Sequence, residues 1–264
     1  MTILAFYLIA GLVAGFLAGL LGIGGGLVLV PALVVLFSVQ GFPEPLIMPL
    51  ALGTSLATIV FTSIASMRAH HAKGSVDWRT LRRMTPGIVG GALASTAFVA
   101  YLSPATLKGI FAVYAGLAAT QFICDLKPPP SRQLPGSGGL ATAGAAVGSI
   151  SVIAGVGGAV TSIPFLVWCN VPVRVAIGTA SAIGLPVAVA GSLGYIGHGL
   201  GVAELPPFAI GYVHLPSLAA IVVATVLTAP LGARASHRVP VPLLKKVLAV
   251  VLYAVTLRSL LAWA

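Results

Sequence analysis

Gly22-Ile23-Gly24-Gly25-Gly26 interrupts an apolar stretch, Ile3 to Phe37, that would otherwise continue as one helix. Glycine in a helix interior costs about 1 kcal/mol relative to alanine, so four glycines in five positions mark a break. The break returns at Gly155-Val156-Gly157-Gly158. Gly155 follows Gly22, and Pro164 follows Pro31, by the same 133 residues. Matching breaks in apolar segments, one per half, are the sequence mark of repeat-built membrane proteins whose central site is made from interrupted helices.

Composition rules out a soluble alternative. Of 264 residues 58% are hydrophobic and 7% charged, whereas a soluble domain carries about 25% charged residues. The net charge of +10 invites a nucleic-acid reading. The basic residues stand between apolar spans, however, where they set topology, so no nucleic-acid partner is expected. Cys124 and Cys169 suggest no disulfide framework. No lysine or arginine precedes Arg68, so Thr2 to Leu21 reads as a retained membrane segment and not as a secretory signal.

The expected class is an all-α polytopic membrane protein of two repeats. Each repeat holds a glycine-broken helix pair and three transmembrane helices. In the first half these are Ile3–Leu21 with Leu27–Phe37, then Leu46–Ser66, Pro86–Leu102 and Leu107–Ile123. The polar Arg68 to Arg83 stretch reads as a loop, with His70 and His71 solvated in it. The second half gives Leu140–Ala154 with Ala159–Trp168, then Val175–Ile196, Leu215–Ala233 and Leu243–Leu261. Ala51-Leu52-Gly53-Thr54 returns as Ala176-Ile177-Gly178-Thr179. The units are residues 1–124, a linker at 125–139, and residues 140–264.

Charge gives orientation. Loop 67–83 holds five basic residues, and its counterpart, His198 to Pro207, holds none. Conversely the Ser103 turn is nearly uncharged, while its counterpart carries Arg234, Arg238, Lys245 and Lys246. Equivalent loops therefore fall on opposite sides, and the repeats are expected to be inverted. Both termini then lie outside and the linker inside. Each broken pair leaves and returns on one side, as a re-entrant hairpin or two thin spans.

Irregular backbone at membrane depth must face protein or a water-filled cavity. A helix starting after flanking glycines offers free amides and a partial positive charge to an anion. The candidate site is therefore Gly22, Gly24, Gly25 and Gly26 with Gly155, Gly157 and Gly158. Hydroxyls of Thr54, Ser55 and Thr58 from one half, and Thr161, Ser162, Thr179 and Ser181 from the other, would complete it. Gly11, Gly15 and Gly19, four residues apart, read instead as helix-packing contacts. No Asp or Glu lies inside a span, which argues against a cation or metal site and a proton relay; no cofactor is expected. An anion channel is the nearest rival reading. An intramembrane lipid-phosphate enzyme is weaker, for want of an acid/base or metal constellation. Catalytic residues are not expected.

Across nearly the whole chain the sequence resembles the sulfite exporter TauE/SafE family of membrane permeases. The likeness rests on AGLLGIGGGLVLVPAL (Ala18 to Leu33), ALGTSLATI (Ala51 to Ile59) and the His71…Gly74-Ser75-Val76-Asp77-Trp78 loop. In the second half it rests on AGVGGAVTSIPFL (Ala154 to Leu166), AIGTASAI (Ala176 to Ile183) and LGARASHRVP (Leu231 to Pro240). The second motif departs at Ala159, where the first has Gly26, so the half-sites are expected to be unequal. The resemblance implies export of sulfite, sulfoacetate or a related organosulfonate across a bacterial inner membrane. The partners expected are that small anion and the lipid bilayer, with homo-oligomerisation left open.

Overall fold

A computed structural model describes residues 2–99, 101–124, 129, 131–236, 249–250 and 252–253. It contains nine helices among these residues. The first half supplies α1 (Thr2–Leu21), α2 (Gly26–Val39), α3 (Glu44–His71), α4 (Trp78–Val99) and α5 (Pro104–Ile123). The second supplies α6 (Ser137–Ile153), α7 (Ala159–Trp168), α8 (Val173–Gly199) and α9 (Leu215–Ala235). Most of the expected span Leu243–Leu261 lies outside the described residues. Helices α1, α3, α5, α8 and α9 are long and apolar enough to cross a bilayer. The fold is nearly all-helical and multi-pass, as expected.

Helix ends follow local chemistry. Ser103 caps α5 by accepting the Thr106 N–H at 3.1 Å, with Pro104 in the first turn. Asp77 caps α4: Oδ1 accepts Arg79 N–H at 3.0 Å and Thr80 N–H at 3.1 Å, and Oδ2 accepts the Thr80 hydroxyl at 2.6 Å. Burial alone would push the Asp77 carboxyl up. The bonds from Thr80 and Arg79, with the Arg79 charge, outweigh it and hold the group below its ordinary value.

Two expectations are corrected between α3 and α4. The polar stretch is not a long loop, because α3 runs on to His71 and α4 already starts at Trp78. The arginines there lie on helical turns at the ends of apolar spans, where long side chains reach the headgroups. His70 is accordingly not solvated. It follows Ser63 and Ser66 on one buried face of α3, is 1% exposed, and its Nε2 lies 3.0 Å from the Gly19 carbonyl oxygen. A small antiparallel hairpin, β1 (Ala209–Ile210) with β2 (Val213–His214), was not anticipated.

Both broken pairs close on themselves. The Tyr7 hydroxyl near the start of α1 is hydrogen-bonded to Gln40 at the end of α2. Similarly Ser131 and Arg132, before α6, donate N–H bonds of 3.2 Å to the Trp168 carbonyl at the end of α7, and the Arg132 guanidinium lies over the Trp168 ring. Each pair is a helical hairpin with glycines at its tip. Helices α3 and α8 pack antiparallel, with Gly53 beside Tyr195 and Gly184 beside Ser63. One hairpin leads into α3 and the other into α8, so they enter from opposite ends of the bundle.

The halves also exchange partners. Helix α1 packs chiefly on α9, and α6 on α4. A Cβ on Gly11 would stand 2.8 Å from the Ile221 carbonyl oxygen, and one on Gly144 would stand 2.3 Å from that of Met84. The Gly11, Gly15 and Gly19 stripe is thus a packing surface. Glycine lets the two backbones approach where any side chain would hold them apart.

Candidate functional site

The two hairpin tips meet. A Cβ on Gly24 would lie 3.0 Å from Gly157 Cα, and a Cβ on Gly157 would lie 3.1 Å from Gly24 Cα. Residues 133 apart in sequence therefore touch each other. Gly26 opens α2 against the Gly155 carbonyl and Val156, and Ile59 of α3 closes over Gly24 and Gly26.

Gly25 and Gly158 occupy the N-cap positions of α2 and α7, with φ of +82° and +83°. That left-handed conformation suits glycine and turns the chain straight into the next helix. The first intrahelical bonds run from the Val28 and Leu29 N–H groups to the Gly25 carbonyl, both at 3.0 Å, and from Ser162 N–H to the Gly158 carbonyl at 2.9 Å. The N–H groups that open the helices before Val28 and before Ser162 thus face the tips, and the positive ends of two helix dipoles meet there. Gly22 and Gly155, both with positive φ, wedge the tips against Ile177 of α8 and Leu52 of α3 respectively.

The hydroxyls divide into four groups. Ser55 donates to the Gly155 carbonyl at 2.9 Å and so joins the first half to the second tip. Thr54 and Thr179 accept backbone N–H groups of the opposite half, from His214 at 3.0 Å and from Asp77 at 2.9 Å. Thr58 and Ser181 donate to carbonyls of their own helices, Thr54 and Gly178. Ser162, in the first turn of α7, is without a hydrogen-bond partner, and its neighbour Thr161 faces the buried Tyr114 hydroxyl of α5.

Sequence reasoning missed Ser63 of α3 and Ser151 of α6. Both are buried and without a hydrogen-bond partner. A Cβ on Gly158 would stand 3.2 Å from Ser151 Oγ. One on Gly184 would stand 2.5 Å from Ser63 Oγ and 3.3 Å from the Gly157 carbonyl oxygen. Neither serine belongs to a glycine motif. The only signal is Gly184, the small residue that leaves room opposite Ser63.

His214 stands at the far end of the Thr54 contact. Its Nδ1 lies 2.6 Å from Ser217 Oγ, its ring packs edge-on to Phe37 and Phe42, and burial pushes its pKa down. Among the described residues no cluster of three His, Cys, Asp or Glu side chains could hold a metal ion.

The family model described as Sulfite exporter TauE/SafE matches residues 7–259. A Haemophilus influenzae protein named "Probable membrane transporter protein" is 35% identical over 262 residues, covering 98% of this chain and 99% of that one. A Methanocaldococcus jannaschii protein with the same descriptive name is 24% identical, covering 90% and 88%. Bacillus subtilis YunE, also so named, is 27% identical, covering 71% and 76%. No solved structure matches the chain.

Proposed function

Because this chain belongs to the sulfite exporter TauE/SafE family and is a membrane transporter, we propose that it exports a small sulfur-containing oxyanion: sulfite, sulfoacetate or a related organosulfonate. The observation that carries this reading is the contact of Gly24 with Gly157, which brings two helix N-termini to one place. Helix-opening amides and dipole ends attract an anion, while the membrane-embedded helices around them offer no carboxylate for a cation.

In this reading Gly24, Gly25, Gly26, Gly157 and Gly158 supply or expose backbone N–H groups, while Gly22 and Gly155, whose own N–H groups are bonded to the Ala18 and Val152 carbonyls, shape the tips. Thr54, Ser55, Thr161, Thr179 and Ser181 line the site with hydroxyls, those of Ser55 and Ser181 being already donated to the Gly155 and Gly178 carbonyls. The two halves act as inverted repeats in the bacterial inner membrane, with the 125–139 linker cytoplasmic and both termini periplasmic. Transport proceeds by alternating access. Coupling residues are not required for export, because an inside-negative potential favours anion exit by about 2.3 kcal/mol per charge per 100 mV. The reaction is translocation without covalent chemistry.

The test is flux from proteoliposomes loaded with sulfite, sulfoacetate or sulfate under an imposed potential, comparing wild type with Gly25→Leu and Gly158→Leu. Saturable sulfite exit that both substitutions abolish is the expected result. Wild-type protein that moves none of the three anions overturns the cargo, and folded variants that match wild type overturn the site.

A further inference from the structure

Hydroxyls buried in membrane helices usually donate to a carbonyl three or four residues back, as Thr58, Thr62, Ser181 and Thr225 do here. Ser63, Ser151 and Ser162 do not. They are 1%, 0% and 0% exposed, and none has a hydrogen-bond partner. Buried polar groups are almost always paired, so three such serines near one helix start need a cause.

They come from three different helices. Ser151 Oγ of α6 lies beside Gly158, the N-cap of α7. Ser162 sits in the first turn of α7, whose side chains lean back toward the N-terminus. Ser63 Oγ of α3 shares the space over Gly184 with the Gly157 carbonyl. Neither α6 nor α7 carries a charged side chain. The arrangement is a helix N-terminus lined by neutral O–H donors, a setting that suits an oxyanion and leaves it free to depart.

The equivalent positions at the other tip are apolar. Ser151 and Ser162 correspond to Ala18 and Leu29, Ser63 corresponds to Ala188, and the open position Gly184 corresponds to Ile59. Ile59 fills the space at the first tip, its Cγ2 standing 3.2 Å from a Cβ placed on Gly24. The duplication gives two tips, and only one is furnished with donors.

We infer that the protein holds one oxyanion per chain, not two, at the start of α7, with Ser63, Ser151 and Ser162 as its hydroxyl ligands and the α2 tip as the apolar wall against it. This rests on the anion-transport reading above and makes the central site asymmetric.

The test uses full-length protein in detergent, with sulfite, methanesulfonate, sulfate and nitrate as probes. Thermal stabilisation gives half-saturation, and calorimetry gives stoichiometry. Ser63→Ala and Ser151→Ala are each expected to raise the half-saturating anion concentration at least tenfold. Their melting temperatures without anion should be unchanged or higher, because no protein hydrogen bond is lost. Ser63→Cys and Ser151→Cys keep the volume and should weaken binding in the same direction. Thr62→Val should leave half-saturation within twofold.

One anion per chain supports the inference, and two overturn it. Sulfite binding unchanged in every serine variant overturns the serine site and leaves the proposed cargo standing. Binding of nitrate alone, lost in the serine variants, keeps the site and overturns the sulfur cargo. Wild type stabilised by none of the probes overturns both.

Discussion

The Thr54 hydroxyl accepts the His214 backbone N–H at 3.0 Å, fastening the middle of the first half to the start of α9 in the second. The relationship is reciprocal. Thr179, the equivalent of Thr54, accepts the Asp77 N–H at 2.9 Å at the start of α4. Around both pairs a glycine admits the opposing loop: a Cβ on Gly53 would stand 2.2 Å from the Tyr212 carbonyl oxygen, and one on Gly178 would stand 2.1 Å from that of Ser75.

Thr54→Val keeps the shape and removes the acceptor, leaving a buried N–H unpaired. Such a loss costs about 1–3 kcal/mol. Thr179→Val should cost less, because the Asp77 end is only partly buried. Thermal unfolding in detergent should show the larger drop for Thr54→Val, with Thr54→Ser close to wild type. Equal tolerance of both valines would mean the threonines are not fastening the loops.

Ser55 is expected to differ from the unpartnered serines. Its bond to the Gly155 carbonyl is buried and joins the two halves. Ser55→Ala should lower stability by about 1 kcal/mol even without anion. The same substitution at Ser151 should not, and a side-by-side melting comparison decides the point.

Gly24 and Gly157 touch but are not equally constrained. Gly24 has φ +70°, and Gly157 is not among the residues of positive φ. Gly24→Ala therefore meets both a 3.0 Å approach and left-handed strain of about 1–2 kcal/mol, whereas Gly157→Ala meets only the approach. Chemical denaturation should rank Gly24→Ala as the less stable variant. The reverse order would show that contact outweighs backbone strain.

Asp77 carries a pH dependence of definite sign. Its folded carboxyl titrates below its ordinary value, so its stabilising effect is present above about pH 4 and fades as pH falls through the folded value. Asp77→Ala should lose about 0.5–2 kcal/mol of capping at neutral pH, toward the lower end because the site is partly solvated. The gap between wild type and variant should narrow in melting curves taken from pH 6 down to pH 3. A gap that widens on acidification would contradict the assignment.

The glycine breaks were legible in the sequence because glycine's effect on a helix is local, and their 133-residue spacing exposed the duplication. Helical class, and the places of the nine described helices, followed from apolar length. Partner choice did not. The Gly11, Gly15 and Gly19 stripe announces close packing but carries nothing that names α9. His70 was misread because its neighbours are basic, although its depth is fixed by the helical phase it shares with Ser63 and Ser66. Ser63 and Ser151 were invisible for a related reason: a serine's worth depends on whether a carbonyl lies within reach, and that is a property of the packed bundle.

The exchange of partners between halves has a consequence for how the protein is made. Helix α1 is made well before its partner, since the surface that fits its glycines begins at Ile221, some 200 residues later. At about 5–20 residues per second, translation leaves α1 waiting on the order of 10–40 s for α9. During that interval its small-residue face is open to lipid or to another nascent chain. Correct assembly therefore depends on keeping an early helix unmated until its late partner arrives.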